Sequence, residues 1–228
     1  MSELFPISAS PANDGPVIGV LAVQGDVREH IRAIEACGGT GGARATVVRK
    51  PEDLAQIDGL IIPGGESTAI WKLLEVFDMV EPIRARMAAG MPVYGSCAGM
   101  ILLADRIVGG IVGQEGIGGM DATVRRNAFG RQVDSFEVDL NLAEIANPAE
   151  PIRTVFIRAP WIEEVGEEVE ILARIPKLDA HGNPLPEAAV GKVVAARQGP
   201  LLVTAFHPEV TGDHRVHELF LELVDAAR

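Results

Sequence analysis

Cysteine is scarce in this chain: its 228 residues include two, Cys37 and Cys97. Two thiols build no disulfide framework and fill no four-cysteine zinc site, which removes two common ways of stapling a fold. Basic charge is also in short supply. Lys and Arg number 20 against 32 Asp and Glu, a formal net charge of −12. A surface this acidic repels phosphate backbones and anionic lipid, so nucleic acid and membrane are poor partners. No apolar run approaches the roughly 18 residues that a membrane-crossing helix requires. The opening MSELFPISASPANDGP has neither the basic start nor the long apolar stretch of a secretion signal. These absences predict a soluble cytoplasmic protein, and nothing in the residues calls for a metal or a cofactor.

What is plentiful is apolar. Hydrophobic residues make up 47%, enough for the full core of one α/β domain over 17–228, with 1–16 as a flexible leader. PVIGVLAV (16–23) reads as a buried strand, and DVREHIRAIEACGG (26–39) switches to helical spacing that ends at Gly38–Gly39. ATVVRK (45–50) and DGLIIPGG (58–65) are further strands, and STAIWKLLEVF (67–77) and EPIRARMAAG (81–90) are helical. MPVYG (91–95) is a fourth strand running into a helix over SCAGMILLADRIV (96–108). Strands and helices alternating at this spacing predict an open, mostly parallel sheet with helices on both faces. From 121 onward the pieces DATVRR, RQVDSFEVDL, TVFIRAP, VEILARI and AVGKVVAAR are β-rich and broken by Pro and Gly, which predicts antiparallel additions. KLDAHGNPLPEAA (177–189) reads as an exposed loop, LLVTAFHPEV as a last strand, and DHRVHELFLELVDAAR as a closing helix near an Asp cap.

Ligands of open parallel sheets sit at the carboxyl ends of strands. Three segments stand there: Gln24–Gly25, Pro63-Gly64-Gly65-Glu66-Ser67 and Gly95-Ser96-Cys97-Ala98-Gly99. The last has the form of a nucleophile elbow, in which glycines permit a tight turn and Cys97 projects at a helix N-terminus, where thiolate is favoured. An inert buried thiol is the competing reading, and Cys37, on a helix face, keeps it. A nucleophilic cysteine needs an acid–base partner with an orienting group. His30 and His181 read as solvated or locally bonded. His214 and His217, three apart, have a spacing that suits a metal but no further ligand. His207 ends an apolar strand as His207-Pro208-Glu209; proline keeps it extended, so imidazole and Glu209 carboxylate can be neighbours. Pro63–Ser67 offers backbone N–H groups to an oxyanion, or else is an ordinary turn capped by Ser67.

These motifs in this order resemble class I glutamine amidotransferases. GVLAVQGDVREHIRAIEACG (19–38), DGLIIPGGEST (58–68), GSCAGM (95–100), RNAFGRQVDSFE (126–137), FIRAPWI (156–162), AFHPE (205–209) and DHRVHELF (213–220) are similar, more narrowly, to the glutaminase subunits of pyridoxal 5′-phosphate synthase. The first and fourth segments are characteristic of those subunits. The resemblance implies a triad of Cys97, His207 and Glu209, with an oxyanion hole at Gly64, Gly65 and Ala98. It implies L-glutamine contacts from Gly65, Glu66, Ser67, Arg126, Ile157 and Arg158, although bare arginines there would read as charges on a solvated β face. It implies as partner the synthase subunit (PdxS/SNZ type), a (β/α)₈ barrel in a large hetero-oligomer that consumes the ammonia. A different synthase, a regulatory subunit without catalysis and a cysteine hydrolase are the rival readings. GGTGGAR (38–44) and the 177–189 loop depart from the compact family pattern as surface insertions.

Overall fold

The computed structural model describes residues 15–37, 42–110, 115–128 and 135–228. The leader to residue 14, the 38–41 part of the first insertion and 131–134 of the RQVDSFEVDL segment lie outside them. Five apolar segments form the parallel part of a ten-stranded sheet: β1 Val17–Leu21, β2 Arg44–Val48, β3 Gly59–Ile62, β4 Val93–Ser96 and, later in the chain, β12 Leu201–Thr204. Their spatial order is β2-β1-β3-β4-β12, every pair parallel. Between them run the helices α1 Val27–Ala36, α2 Ser67–Val76, α3 Val80–Ala88 and α4 Ala98–Leu103. Strands β3, β4 and β12 are buried at every position, as both-face coverage demands.

Beyond β12 lie β5 Ala104–Val108, β6 Met120–Arg125, β9 Trp161–Val165, β10 Glu170–Arg174 and β11 Val193–Gln198. The pairing there is antiparallel except between β5 and β6. β11 pairs antiparallel with β12, β9 and β10, and β9 with β6. A separate hairpin-like pair, β7 Ser135–Leu140 and β8 Ile152–Ile157, packs Phe136 on Phe156 with rings stacked at 4.8 Å. The helix α5, Arg215–Ala227, closes the fold and buries Val216, Leu219, Phe220 and Val224.

Two expectations need correction. The helix read over 96–108 stops at Leu103, and Ala104–Val108 is instead β5, parallel to β6. Met100–Leu103 is uniformly apolar and wholly buried, so periodicity cannot register where the helix ends; the β-branched Ile107–Val108 pair was the available signal. The closing helix begins at Arg215 with His214 at the cap position, while the Asp213 carboxylate accepts the Arg215 N–H at 3.1 Å and pairs with its guanidinium. The 177–189 segment is a loop, cinched by Asp179 accepting from the His181 and Asn183 N–H groups at 2.8 Å.

Candidate active site

Sheet order does the first work of assembly. Because β1, β3, β4 and β12 are parallel neighbours, their carboxyl ends release Gln24–Asp26, Gly64–Ser67, Cys97 and His207 on one edge. Cys97 and His207 are 110 positions apart, yet Thr204 is in register with Ser96 and the Cys97 N–H donates to the Thr204 carbonyl at 2.8 Å. The end of β12 is pinned by Tyr94 and Thr204, whose hydroxyls meet at 2.8 Å, with Thr204 Oγ1 also donating to the Phe206 carbonyl at 3.0 Å.

Cys97 takes φ 47° and ψ −95°, a positive φ that a non-glycine residue adopts only when its surroundings impose it. Its flanking glycines explain how. A Cβ at Gly95 would lie 2.6 Å from the Gly99 carbonyl carbon, and one at Gly99 would collide with the Ile62 carbonyl oxygen of β3. The turn can therefore fold tightly onto two strands only without side chains at 95 and 99. The thiol is nearly buried, at the N-terminus of α4.

His207 Nδ1 lies 2.7 Å from Glu209 Oε1 and 3.4 Å from Asp26 Oδ2. A carboxylate only accepts, so Nδ1 carries the proton in the short bond and Nε2 is left for the thiol side. Burial opposes a charge on this ring, but Asp26, the Cys97 thiol and Glu209 together outweigh it and push the imidazole up to about 12. The Asp26, His207 and Glu209 donor atoms fall within 4.8 Å of one another. A proton already occupies the 2.7 Å gap, however, and ligands about 2.1 Å from an ion stand farther apart than that. Gly64 packs against the imidazole: a Cβ there would lie 2.9 Å from His207 Nδ1.

A cavity of about 400 Å³ opens beside these groups, a size ordinary for a small-molecule site. Cys97 and His207 line it, as do Gly65, Glu66, Ser67, Arg126, Ile157 and Arg158. Glu209 sits behind His207 and Ala98 is buried under the elbow. The Gly64 carbonyl accepts the Asp26 N–H at 3.2 Å. Arg126 is not a solvated charge. Its guanidinium reaches Glu66 Oε1 at 2.9 Å and Thr68 Oγ1 at 3.0 Å.

Glu66, rather than Ser67, caps α2: its carboxylate accepts from the Thr68 and Ala69 N–H groups at 3.2 and 2.7 Å. Although partial burial opposes ionisation, those two N–H groups and Arg126 hold this carboxyl below the usual range. Gln24, Asp26, Ile101 and Asn127 also line the cavity. Gln24 Oε1 accepts the Glu66 N–H at 2.9 Å. Of these four only Gln24 had been singled out. Asp26 was within reach of the same logic, two residues on at the same strand end.

Away from the cavity, Cys37 ends α1 buried, and burial followed by nearby Glu218 pushes its thiol up to about 11, which leaves it inert. His214 and His217 have ring centroids 6.5 Å apart. His30 corrects the reading of a solvated or locally bonded ring: it is fully buried between α1, α5 and Glu209, because position 30 shares the inward stripe with Ala33 and Ile34. No helix among the described residues is long and apolar enough to cross a membrane.

A family model described as the SNO glutamine amidotransferase family matches residues 20–226. The chain is 57% identical over 215 residues to pyridoxal 5′-phosphate synthase subunit PdxT of Kineococcus radiotolerans, covering 94% of this chain and 96% of that one. The subunit of the same name from Rhodococcus opacus is 55% identical over 209 residues, 92% of this chain and 97% of the relative. A crystal structure of a glutamine amidotransferase matches with TM-score 0.76 at 43% identity, over 91% of this chain and 98% of the other. PurLQS from Thermotoga maritima, at 14% identity and TM-score 0.61 over 94% of this chain and 100% of the other, shares the fold.

Proposed function

The chain belongs to the SNO glutamine amidotransferase family, and from that premise we propose that Cys97, His207 and Glu209 are the catalytic triad of a glutaminase. By its likeness to the PdxT subunits it is the glutaminase subunit of a pyridoxal 5′-phosphate synthase, hydrolysing L-glutamine to L-glutamate and ammonia for the synthase subunit. One observation carries the assignment of residues. The strained elbow at Cys97 and the His207–Glu209 pair stand at the ends of adjacent parallel strands, and both Cys97 and His207 face one cavity.

Chemistry follows from the placement. The Cys97 thiolate adds to the side-chain carboxamide carbon of glutamine, and the oxygen charge that develops is met by backbone N–H groups at Gly64, Gly65 and Ala98. His207 gives a proton to the departing nitrogen, the C–N bond breaks, and ammonia leaves a γ-glutamyl thioester. His207 then takes a proton from water, which attacks the thioester and frees glutamate and Cys97. Glu209 holds Nδ1 so that Nε2 stays on the reacting side.

Gly65, Glu66, Ser67, Arg126, Ile157 and Arg158 hold glutamine. Glu66 already commits its N–H, carbonyl and carboxylate within the protein, so it orders Arg126 and Gln24 as much as it touches substrate. Water protonates ammonia at neutral pH and ends its use as a nucleophile, so the partner synthase docks closely enough to take it under cover. That partner is a PdxS/SNZ-type barrel in a large hetero-oligomer in the cytoplasm.

Replacing Cys97 by Ala is expected to lower glutamate release by at least about 10³-fold, and His207→Asn similarly, with Glu209→Gln milder at about 10- to 100-fold. More than a trace of activity in the Cys97→Ala protein would refute the triad. Adding the synthase subunit should raise glutamine turnover severalfold; equal rates with and without it contradict the coupling.

A further inference from the structure

Behind the triad lie two imidazoles that the reaction above does not use. His30 on α1 and His217 on α5 are both fully buried. His30 Nδ1 stands 3.0 Å from His217 Nε2, and His30 Nε2 stands 3.6 Å from Glu209 Oε2, the carboxylate oxygen that His207 does not use. Among the described residues, His30 Nε2, Glu209 Oε2 and His217 Nδ1 are buried without a hydrogen-bond partner. The Tyr94 ring from β4 presents itself at right angles to both imidazoles, with centroids 5.9 Å away, and His214 approaches His217 from the start of α5.

Both rings are neutral. Burial, then His217 and His207, lowers His30 well below an ordinary histidine, and burial with His214 lowers His217 to about 3. Two proton arrangements are then available. In one, His217 Nε2–H donates to His30 Nδ1 and His30 Nε2–H faces the carboxylate. In the other, a bare His30 Nε2 confronts Glu209 Oε2, lone pair against lone pair, and His217 buries an N–H with no acceptor. The first leaves only an orphan acceptor at His217 Nδ1, which costs less than an orphan donor beside an unmet carboxylate.

We propose that His30 is a positioning residue for glutamine hydrolysis: its Nε2–H, oriented by His217, fixes the second oxygen of Glu209 so that the first remains on His207 Nδ1. This rests on the triad reading. A carboxylate held at one oxygen turns easily about its terminal torsion, which is broad; a second donor sets its plane. At 3.6 Å the pairing is an electrostatic contact rather than a formed bond, and such bonds commonly tighten when substrate binds. The links come from three parts of the fold, α5, α1 and the turn after β12, so the last helix reaches His207 through three side chains, His217, His30 and Glu209.

The test assays His30→Leu and His30→Gln, each in wild-type and Glu209→Gln backgrounds, for glutamate release with the synthase subunit present. Leucine removes the donor, whereas the glutamine amide can place an N–H where Nε2 stood. Through Glu209, His30→Leu should lower kcat about tenfold with KM within about twofold, His30→Gln should stay within about threefold of wild type, and His30→Leu should change the Glu209→Gln enzyme by less than about twofold. No loss in the wild-type background, or an equal loss in both backgrounds, overturns the proposal. ¹⁵N NMR of the unsubstituted protein gives a readout independent of any variant's folding: His30 protonated at Nε2 is expected, and protonation at Nδ1 overturns it. A fully active Glu209→Gln enzyme would instead strike the triad itself.

Discussion

On one side of β12 every strand pair is parallel, and β3 and β4 are buried at every position; on the other the pairs are antiparallel except β5 with β6, and β5 and β10 expose residues to water. Apart from Arg44 at the start of β2, the parallel half keeps charged side chains out of its strands, and Gln24, Asp26, Cys97 and His207 converge at their carboxyl ends. The antiparallel half carries its charges on the strands. Arg106 pairs with Asp121, Arg125 with Glu163, and Arg197 on β11 with both Glu144 and Glu170. The difference teaches where precision is stored. Parallel strands release every loop at the same edge, so a shift in any one of them displaces a group that lines the cavity, while the ion pairs of the other half stand on its strands, away from Cys97.

That contrast can be broken or sharpened by substitution. Gly99→Val forces a side chain into the Ile62 carbonyl at the heart of the parallel half, where backbone must move. A loss of more than about 4 kcal/mol, or no folded protein at all, is expected by denaturant unfolding followed by circular dichroism; a normally stable variant would mean that the elbow is not under this constraint. Asp26→Asn is expected to leave the fold intact and change the pH profile. Asp26 favours the His207 imidazolium, so its loss lowers that pKa, and the ring surrenders its proton at lower pH. The alkaline limb of kcat/KM should therefore move to lower pH; an unmoved limb would mean that Asp26 does not hold the His207 proton, leaving Cys97 and Glu209 to do so. Arg197→Ala, in the antiparallel half, is expected to cost about 1 kcal/mol or less, to cost still less at 1 M salt, and to spare glutaminase activity. A large activity loss there would erase the distinction between the halves.

The parallel half was also the half that could be read in advance. Short apolar strands alternating with amphipathic helices announce themselves by length and period, and the elbow announces itself by its glycines. His207 and Glu209 could be paired from the proline between them. What sequence could not supply was sheet order: nothing local to LLVTAF says that it inserts beside MPVYG rather than at an edge, because pairing is decided by packing across the whole sheet. Arg126 and Ile157 came from family resemblance alone, since their placement depends on how the later β-rich segments turn back over the cavity. His30 was misjudged because a histidine on an amphipathic helix gives no sign of which buried carboxylate waits on the other side. Glu66 was passed over as a cap because Ser67, one position later, also has the chemistry for it.

Insertion of β12 between β4 and β11 also sets a timetable for the growing polypeptide. The thiol emerges from the ribosome more than a hundred residues ahead of the imidazole, and until the segment through Glu209 has followed and slotted into the gap, the triad proposed for this chain is incomplete. On that proposal, a nascent or prematurely terminated chain lacks the groups that would hydrolyse free glutamine.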